Sequence, residues 1–212
     1  MVKRDVAGPR RGGSREAIVD AAEHLFLEHG FGGVSMDDLA EAAGVARRTL
    51  YNQFPGKEEI FREMLGRVSR GLGNALPPGI ETRGDVEEVL RLMARALLTF
   101  QARPEFVGLV RMVAADARQF PWIAEAFWSV LQPQEERFER YLAHLTALGV
   151  LDCPDPRLAA SQFLGLLNEP LLWPRVLGRD RDGTPPDAVV VEEAVRLFLL
   201  GYRRPHASGH KP

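Results

Sequence analysis

Apolar residues recur at roughly every third or fourth position along most of the chain, which is the period of an amphipathic α-helix. Residues 14–30 carry the first apolar face, and residues 35–54 carry two shorter ones on either side of Gly44. A fourth face begins at Lys57 and continues to Val68. No stretch alternates apolar and polar residues as a half-buried strand would, so the pattern predicts an all-α fold.

A break in this pattern covers residues 70–84, where Gly71, Gly73, Pro77 and Pro78 should stop any helix that reaches them. Such a composition is typical of a linker between two domains. Beyond it, apolar stripes predict helices over residues 86–100, 106–120, 123–131, 138–148, 155–176 and 187–202, with Pro133 between the third and the fourth. Pro170 should kink or end the helix that contains it, because proline removes a backbone donor and crowds the preceding turn.

The two short helices around Gly44 have the organisation of a helix-turn-helix. Ser35 and Asp38 are spaced as a capping box, in which each side chain binds the backbone amide of the other residue. Gly44 suits the positive φ that ends a helix, and Val45 supplies an apolar plug between the two helices. The second helix, residues 47–54, leaves donors and acceptors for base edges and phosphates. They are Arg47, Arg48, Thr49, Tyr51, Asn52 and Gln53.

The motifs LFLEHGF, LAEAAGV and TLYNQFPGKEEIF resemble the DNA-binding region of the TetR (tetracycline-repressor-like) family of bacterial regulators, over residues 14–68. The resemblance implies a homodimer whose N-terminal three-helix helix-turn-helix DNA-binding domain is joined by a fourth helix to a C-terminal helical bundle. That bundle would serve ligand binding and dimerisation. The resemblance also implies that some residues grip the DNA backbone and others face the groove. The first set is Ser35, Thr49, Tyr51 and Lys57, and the second is Arg47, Arg48, Asn52 and Gln53.

Three positions depart from the pattern of that family. Ala46 stands where the family often has a serine that caps the recognition helix, and the loss of such a cap costs about 1 kcal/mol. Gly56 stands where serine, asparagine or aspartate is common. Arg48 occupies a position often filled by a small residue, so it either contacts a guanine or phosphate or tilts the helix slightly.

The predicted organisation has five parts. A basic arm over residues 1–13 precedes a DNA-binding domain over 14–69, a linker over 70–84, an effector and dimerisation domain over 85–203, and a flexible tail over 204–212. The formal net charge of −2 gives the whole chain no general attraction to nucleic acid. The arm is either a solvated, flexible terminus or a segment that contacts phosphates or the minor groove.

The second half of the chain supplies large apolar side chains that can enclose a ligand beside a few polar groups. The predicted ligand-binding residues are Met93, Leu97, Phe100, Arg111, Met112, Phe127, Trp128, Tyr141 and Phe163. Further polar candidates are Asp116, Gln119, His144, Gln162, Asn168 and Glu169. For any one of these apolar residues, a place in an ordinary core is the favoured interpretation.

The last two helices are more apolar than packing onto one bundle requires, which favours a partner. The resemblance implies that this partner is a second copy of the chain. The predicted dimer interface comprises Leu158, Phe163, Leu167, Val191, Val195 and Phe198.

These features predict a ligand-responsive transcriptional regulator that binds a palindromic double-stranded DNA operator as a dimer and is released by a small apolar or aromatic effector. Repression is the usual outcome in the family, and activation stays open. One alternative is an architectural helix-turn-helix protein without a ligand. The other is an enzyme, although the sequence contains no glycine-rich phosphate cradle and no nucleophile elbow.

Several further expectations come from missing features. No cofactor or metal is expected, since the pairs His24 with Glu28 and His206 with His210 come without further ligands. No apolar run approaches the roughly 20 residues that span a bilayer, so we expect a cytoplasmic protein without a membrane partner. Cys153 is the only cysteine, which excludes an internal disulfide.

Overall fold

The computed structural model describes residues 13–75, 79, 85–178 and 186–204, and over these residues the chain folds into nine α-helices. They are α1 (Ser14–His29), α2 (Met36–Ala42), α3 (Arg47–Gln53), α4 (Lys57–Ala75), α5 (Val86–Gln101), α6 (Pro104–Asp116), α7 (Pro121–Ala147), α8 (Pro156–Val176) and α9 (Asp187–Tyr202). The β-pairing in this part of the chain is a single antiparallel bridge between Leu151 and Arg203. The predicted all-α fold is confirmed. None of the helices described is long and apolar enough to cross a membrane.

Helices α1 to α3 and the first half of α4 form an N-terminal unit with one apolar centre. Ile18, Leu39, Leu50 and Phe61 are completely buried there, each on a different helix. Helices α5 to α9 form a C-terminal bundle, in which α8 packs against α7 and α9. Helix α4 belongs to both parts, since it contacts α1 in the first and α5 and α7 in the second.

Helix α4 runs unbroken through Gly71 and Gly73, so the predicted linker is wrong over residues 70–75. A Cβ atom on Gly71 would lie 3.0 Å from the Phe100 ring, and one on Gly73 would lie 3.4 Å from the amide nitrogen of Gln134. These glycines therefore permit close approach of the bundle and do not end the helix. Residues 76–78 and 80–84 of the predicted linker lie outside the described residues.

Proline interrupts the helices less than the sequence suggests. Helix α7 continues through Pro133, where a break was predicted, and α8 does not end at Pro170. Pro133 is exposed, so water can solvate the carbonyl that loses its N–H partner. Buried side chains lie on both sides of each proline, for example Phe127 and Phe138 around Pro133, and their packing favours a continuous helix.

The ends of the chain differ slightly from prediction. Gly13 is the N-cap of α1, and Ser14 is the first residue of that helix. Arg204, which was assigned to the flexible tail, donates its backbone N–H to the carbonyl of Val150 at 3.4 Å. The basic arm over residues 1–12 and the tail over 205–212 lie outside the described residues.

Candidate functional site

The predicted capping box at the start of α2 is present. The backbone N–H of Asp38 donates to Ser35 Oγ at 3.2 Å, and the backbone N–H of Ser35 donates to the Asp38 carboxylate at 2.8 Å. Hydrogen bonds from the Ser35 side chain and backbone lower the pKa of Asp38. The reciprocal bonds fix where α2 begins and hence the direction in which it leads to α3.

The turn between α2 and α3 also follows the sequence prediction. Gly44 has a φ of 65°, and the N–H of Val45 donates to the carbonyl of Ala40 at 3.0 Å. Ala46 is the N-cap of α3 and provides no side-chain cap. Leu50 and Phe54 are buried beneath α3, so its opposite face points to solvent.

The outer face of α3 carries the predicted DNA-binding side chains. Arg47, Arg48 and Asn52 are exposed, and Tyr51 is 53% exposed, whereas Thr49 and Gln53 are half-buried. Arg47 pairs with Asp37 at 2.5 Å. Because both partners are largely exposed, this pair contributes little to stability, and a phosphate can replace the carboxylate at small cost.

Lys57 lies beside this face, but its ammonium is engaged inside the protein. Nζ donates to the carbonyls of Phe31 and Val34, both at 2.9 Å, and lies 4.5 Å from the centre of the Phe31 ring. Lys57 thus ties the start of α4 to the loop after α1. These bonds use two of its three N–H donors. A direct contact between the third donor and a DNA phosphate stays a prediction. Ser35, Tyr51 and Lys57 nonetheless line one shallow depression.

Arg15 holds the recognition helix in place and was missed by sequence analysis. Its guanidinium donates to the carbonyl of Gln53 at 2.9 Å, pairs with Glu63 at 3.2 Å and lies 4.0 Å above the ring of Phe54. These contacts bind α1 to the end of α3 and to α4. No local motif marks such a residue, because its partners are 38 to 48 positions away.

The C-terminal bundle encloses a cavity of about 620 Å³ between α5, α6, α7 and α8, with Leu72 of α4 in its wall. Six of the predicted ligand-binding residues line it: Met93, Leu97, Phe100, Phe127, Trp128 and Phe163. Trp128 and Trp173 are also exposed to solvent, which places both at the opening. Such a volume and such apolar walls are typical of small-molecule sites.

Three predicted ligand-binding residues do not line this cavity. Arg111 donates to the carbonyls of Val176 and Arg175, at 2.6 and 2.5 Å, and so holds the end of α8. Met112 is buried in the core that α6 shares with the N-terminal unit, and Tyr141 is buried in the core of the bundle. Helical periodicity identified their inward direction, but it does not distinguish between a cavity and a filled core.

Polar groups enter the cavity wall at six positions. They are Gln101, Gln134, Glu135, Ser161, Asn168 and Glu169. Asn168 and Glu169 were among the predicted polar candidates, whereas Asp116, Gln119, His144 and Gln162 lie elsewhere. The Gln101 amide nitrogen donates to Asn168 Oδ1 at 3.1 Å. Burial and the neighbouring carboxylate of Glu139 raise the pKa of Glu135, while Arg157 acts in the opposite direction.

The predicted dimer interface is largely wrong. Five of its residues are almost fully buried in the core of a single chain and offer no surface to a partner: Phe163, Leu167, Val191, Val195 and Phe198. Leu158 alone of the predicted set is exposed. Helices α8 and α9 are apolar on two faces, and periodicity did not tell which face points inward. The outward apolar residues are Leu158, Trp173, Val189, Leu197 and Leu200.

Helix α6 connects the cavity to the N-terminal unit. Val110 and Val113 line the cavity, and one turn further the Asp116 carboxylate accepts the backbone N–H of Phe31 at 2.6 Å. The Phe31 ring packs edge-on against Phe120 and Trp122, at 5.3 and 5.1 Å between ring centres. Movement of α6 therefore acts on the loop that Lys57 also holds.

Two family models match the chain. That of the bacterial regulatory proteins of the tetR family covers residues 18–64, and that of the AefR-like transcriptional repressor C-terminal domain covers residues 88–204. The regulator EthR of Mycobacterium tuberculosis is 27% identical over 198 residues, which are 89% of this chain and 87% of EthR.

Two further relatives differ in how much of the chain they match. The transcriptional activator FasR of Mycolicibacterium smegmatis is 30% identical over 104 residues, 46% of this chain and 48% of FasR. The solved structure of the flavonoid-responsive regulator FrrA is 32% identical, covers 91% of this chain and 98% of FrrA, and superposes with a TM-score of 0.76. The C-terminal family model alone spans more than half of the 212 residues. The chain belongs to the TetR family of bacterial transcriptional regulators, whose DNA-binding element is the helix-turn-helix of α2 and α3.

Proposed function

We propose that the protein is a cytoplasmic, dimeric repressor that binds a palindromic operator and is released from it by a small apolar or aromatic effector. The observation that carries this proposal is the double role of α6. The same helix lines the cavity at Val110 and Val113 and holds the N-terminal unit through the bond between Asp116 and Phe31. A ligand that displaces α6 therefore changes the position of the DNA-binding helices.

On the DNA side, the exposed face of α3 supports both kinds of contact that a specific complex needs. Arg48 and Asn52 carry the donors and acceptors that pair with guanine and adenine edges in the major groove. Ser35 and Tyr51 line the same depression and have hydroxyls suited to phosphate oxygens. Base contacts would then select the sequence, while the hydroxyls fix the orientation of α3 on the duplex.

On the ligand side, the size and walls of the cavity support an aromatic effector. Phe100, Phe127 and Trp128 line the cavity, and aromatic rings pack well on a flat aromatic ligand. FrrA, which matches this chain over nearly its whole length, is described as flavonoid-responsive. The effector of this protein would accordingly be a small molecule with at least one aromatic ring.

The proposed mechanism couples two binding equilibria. Successive major grooves on one face of DNA lie about 34 Å apart, so the two copies of α3 in a dimer must keep that spacing. An effector that binds more tightly to a different spacing lowers operator affinity, and the operator lowers effector affinity by the same factor. Helix α4 offers a second route, because Phe100 in the cavity wall rests against Gly71.

Dimerisation would use the outward face of α8 and α9. Val189, Leu197 and Leu200 on α9 and Leu158 on α8 are all exposed and apolar. Paired with the same face of a second copy, these helices would form a four-helix interface. Isologous pairing of this kind would give the dimer the two-fold symmetry of a palindromic operator.

The test is binding of the purified protein to a fluorescent duplex from its own upstream region, compared with a scrambled duplex at matched salt. Tyr51→Ala should weaken specific binding by roughly 10-fold or more, since it removes a contact to the DNA backbone. Arg140→Ala, on the solvent side of α7, is the control and should bind like the parent protein. Aromatic compounds that fill the cavity should release the specific duplex.

Two results would contradict the proposal. Equal binding to both duplexes, unchanged by any compound, would indicate an architectural DNA-binding protein. Unchanged affinity in Tyr51→Ala would show that α3 does not contact the operator. The sign of regulation has its own measurement, because FasR is named an activator: a reporter behind the upstream region should rise when the gene is deleted. A fall would identify an activator.

A further inference from the structure

Two glutamine side chains in the cavity wall offer hydrogen-bond acceptors to a ligand. Gln101 is 6% exposed, and its amide nitrogen donates to Asn168, while its carbonyl oxygen is buried without a hydrogen-bond partner among the described residues. The carbonyl oxygen of Gln134 is also buried and has no hydrogen-bond partner in the part of the chain that the structure describes. A buried acceptor without a partner costs about 1–3 kcal/mol, so a ligand that supplies a donor recovers that free energy.

The Gln134 side chain lies between α4 and the cavity, which limits its movement when a ligand binds. Its amide nitrogen lies against Gly73 of α4, close enough that a Cβ on that glycine would sit 3.4 Å away. Gln134 is therefore held between α4 and the cavity. Gln101 is held in turn by its bond to Asn168. Two acceptors on restrained side chains favour a ligand with donors at matching positions.

The charged side chains in the cavity wall also favour a ligand that donates hydrogen bonds over an anionic one. Glu135 and Glu169 line the cavity, and no lysine, arginine or histidine does so among the described residues. An organic anion would thus enter an apolar space beside two carboxylates with no cation from the described wall to pair with it. Burial of an unpaired charge is costly, and like charges add to that cost.

We propose that the effector is an aromatic compound without negative charge whose hydroxyl or ammonium groups donate hydrogen bonds to Gln101 and Gln134, and that the cavity rejects organic anions of the same shape. The inference rests on the proposed function only in taking this cavity as the effector site. Phenolic hydroxyls and protonated amines share the required chemistry. The carboxylates determine how far a cation is preferred over a neutral donor.

A series of four probes with one apolar body tests this inference by calorimetric titration of the full-length protein. The probes are para-hexylphenol, para-hexylanisole, para-hexylbenzylamine and para-hexylbenzoate. The phenol and the protonated amine should bind about 10-fold or more tightly than the anisole, which lacks a donor, and than the benzoate, which is an anion. Equal binding of phenol and anisole, tighter binding of the benzoate, or no binding of any probe would overturn it.

Variants of the cavity wall locate the effect. Gln134→Leu removes an acceptor at similar volume and should reduce the affinity for the phenol several-fold while leaving the anisole unchanged. Gln132→Leu, an exposed glutamine on the same helix, is the matched control and should change neither. If Gln134→Leu does not fold, Glu135→Gln replaces it, and this variant should narrow the gap between the amine and the benzoate. An unchanged ranking of the probes in a folded variant would contradict the assignment.

Operator release by the same four probes separates this inference from the proposed function. If the phenol binds as expected but does not release the duplex, the ligand class stands and the effector-controlled function fails. If the benzoate releases the duplex and the phenol does not, the function stands and the ligand class is wrong.

Discussion

The N-terminal unit and the C-terminal bundle are built from similar amphipathic helices, yet they differ in what their interiors do. In the N-terminal unit Ile18, Leu39, Leu50 and Phe61 are completely buried in an apolar core that continues into the bundle. The interior of the bundle contains a cavity of about 620 Å³, which α5, α6, α7 and α8 line together. A filled core keeps α3 in one position, whereas a core with a cavity can change with its contents.

The two parts share an extensive apolar core, to which Leu65 of α4 and Leu109 and Ile123 of the bundle contribute, and polar and aromatic contacts add to it at the loop after α1. Asp116 of α6 accepts the N–H of Phe31, Lys57 donates to the carbonyl of the same residue, and Phe120 and Trp122 pack on its ring. At the loop after α1, residues of α4 and of the bundle therefore converge on Phe31. The difference between the two parts suggests three variants. They change the proposed dimer face, the contact between α6 and the loop after α1, and the contact of α4 with the cavity wall.

The largest effect is expected from Leu200→Arg, which changes the outward face of α9, where Leu200 is 70% exposed. A charge in a self-complementary apolar interface opposes its own copy, so the dimer should dissociate. Operator affinity should then fall by roughly 100-fold or more, because the two DNA-binding units lose their linkage. Light scattering after size exclusion and duplex titration measure both results.

Leu148→Arg is the control for that variant, since Leu148 is similarly exposed at the end of α7 but lies outside the proposed dimer face. It should leave the molecular mass and the operator affinity unchanged. A Leu200→Arg protein that keeps the mass of the parent would show that α9 is not at the interface.

An intermediate effect is expected from Asp116→Ala, which removes the bond between α6 and the loop after α1. A hydrogen bond to a charged group contributes about 1.5–3 kcal/mol, so the Tm should fall by roughly 3–12 °C for a chain of this length. Compounds should still bind the cavity but release the operator less effectively. Thermal unfolding and effector titration of the DNA complex measure the two changes.

Glu125→Ala, an exposed carboxylate on α7, serves as the matched control for Asp116→Ala. It should change neither the Tm nor the release of the operator. Full release by effector in a folded Asp116→Ala protein would mean that the bond between Asp116 and Phe31 does not carry the effect of the ligand.

The smallest effect is expected from the pair Gly71→Ala and Gly66→Ala, both within α4. Alanine at position 66 meets only the Arg70 side chain at 3.5 Å and should stabilise the helix by up to about 1 kcal/mol. Alanine at position 71 must push the Phe100 ring, 3.0 Å away, toward the cavity. Ligand affinity should fall a few-fold in Gly71→Ala and stay constant in Gly66→Ala. Equal ligand affinities would remove Phe100 from the proposed route.

Sequence prediction succeeded where structure depends on neighbours along the chain. The Ser35 and Asp38 box, the positive φ of Gly44 and the buried Leu50 all involve contacts within a few residues or a single helical face. It failed where two distant segments decide the outcome. Gly71 was taken as a helix breaker. The ring that requires a glycine there belongs to Phe100, which lies 29 positions further along the chain.

The same limit explains the errors at the ligand and dimer residues. Met112 and Tyr141 were correctly expected to point inward, but only the packing of α6 and α7 shows that they meet filled cores. Val191, Val195 and Phe198 were assigned to the outside of α9, although they form its inner face. Gln101 and Gln134 were overlooked as cavity residues, while Gln119 and Gln162 were selected, because the sequence does not show which polar positions face the cavity.

The sequence by itself determined the helical class, the place of the helix-turn-helix and the family resemblance, since apolar periodicity, caps and turn glycines act over one or two turns of helix. Only the tertiary structure decided which face of α9 is buried, which aromatic rings enclose a cavity and how Asp116 and Lys57 converge on the loop at Phe31. These outcomes depend on the mutual approach of helices far apart in the chain. That approach is set by the sum of all packing contacts, which no single local pattern encodes.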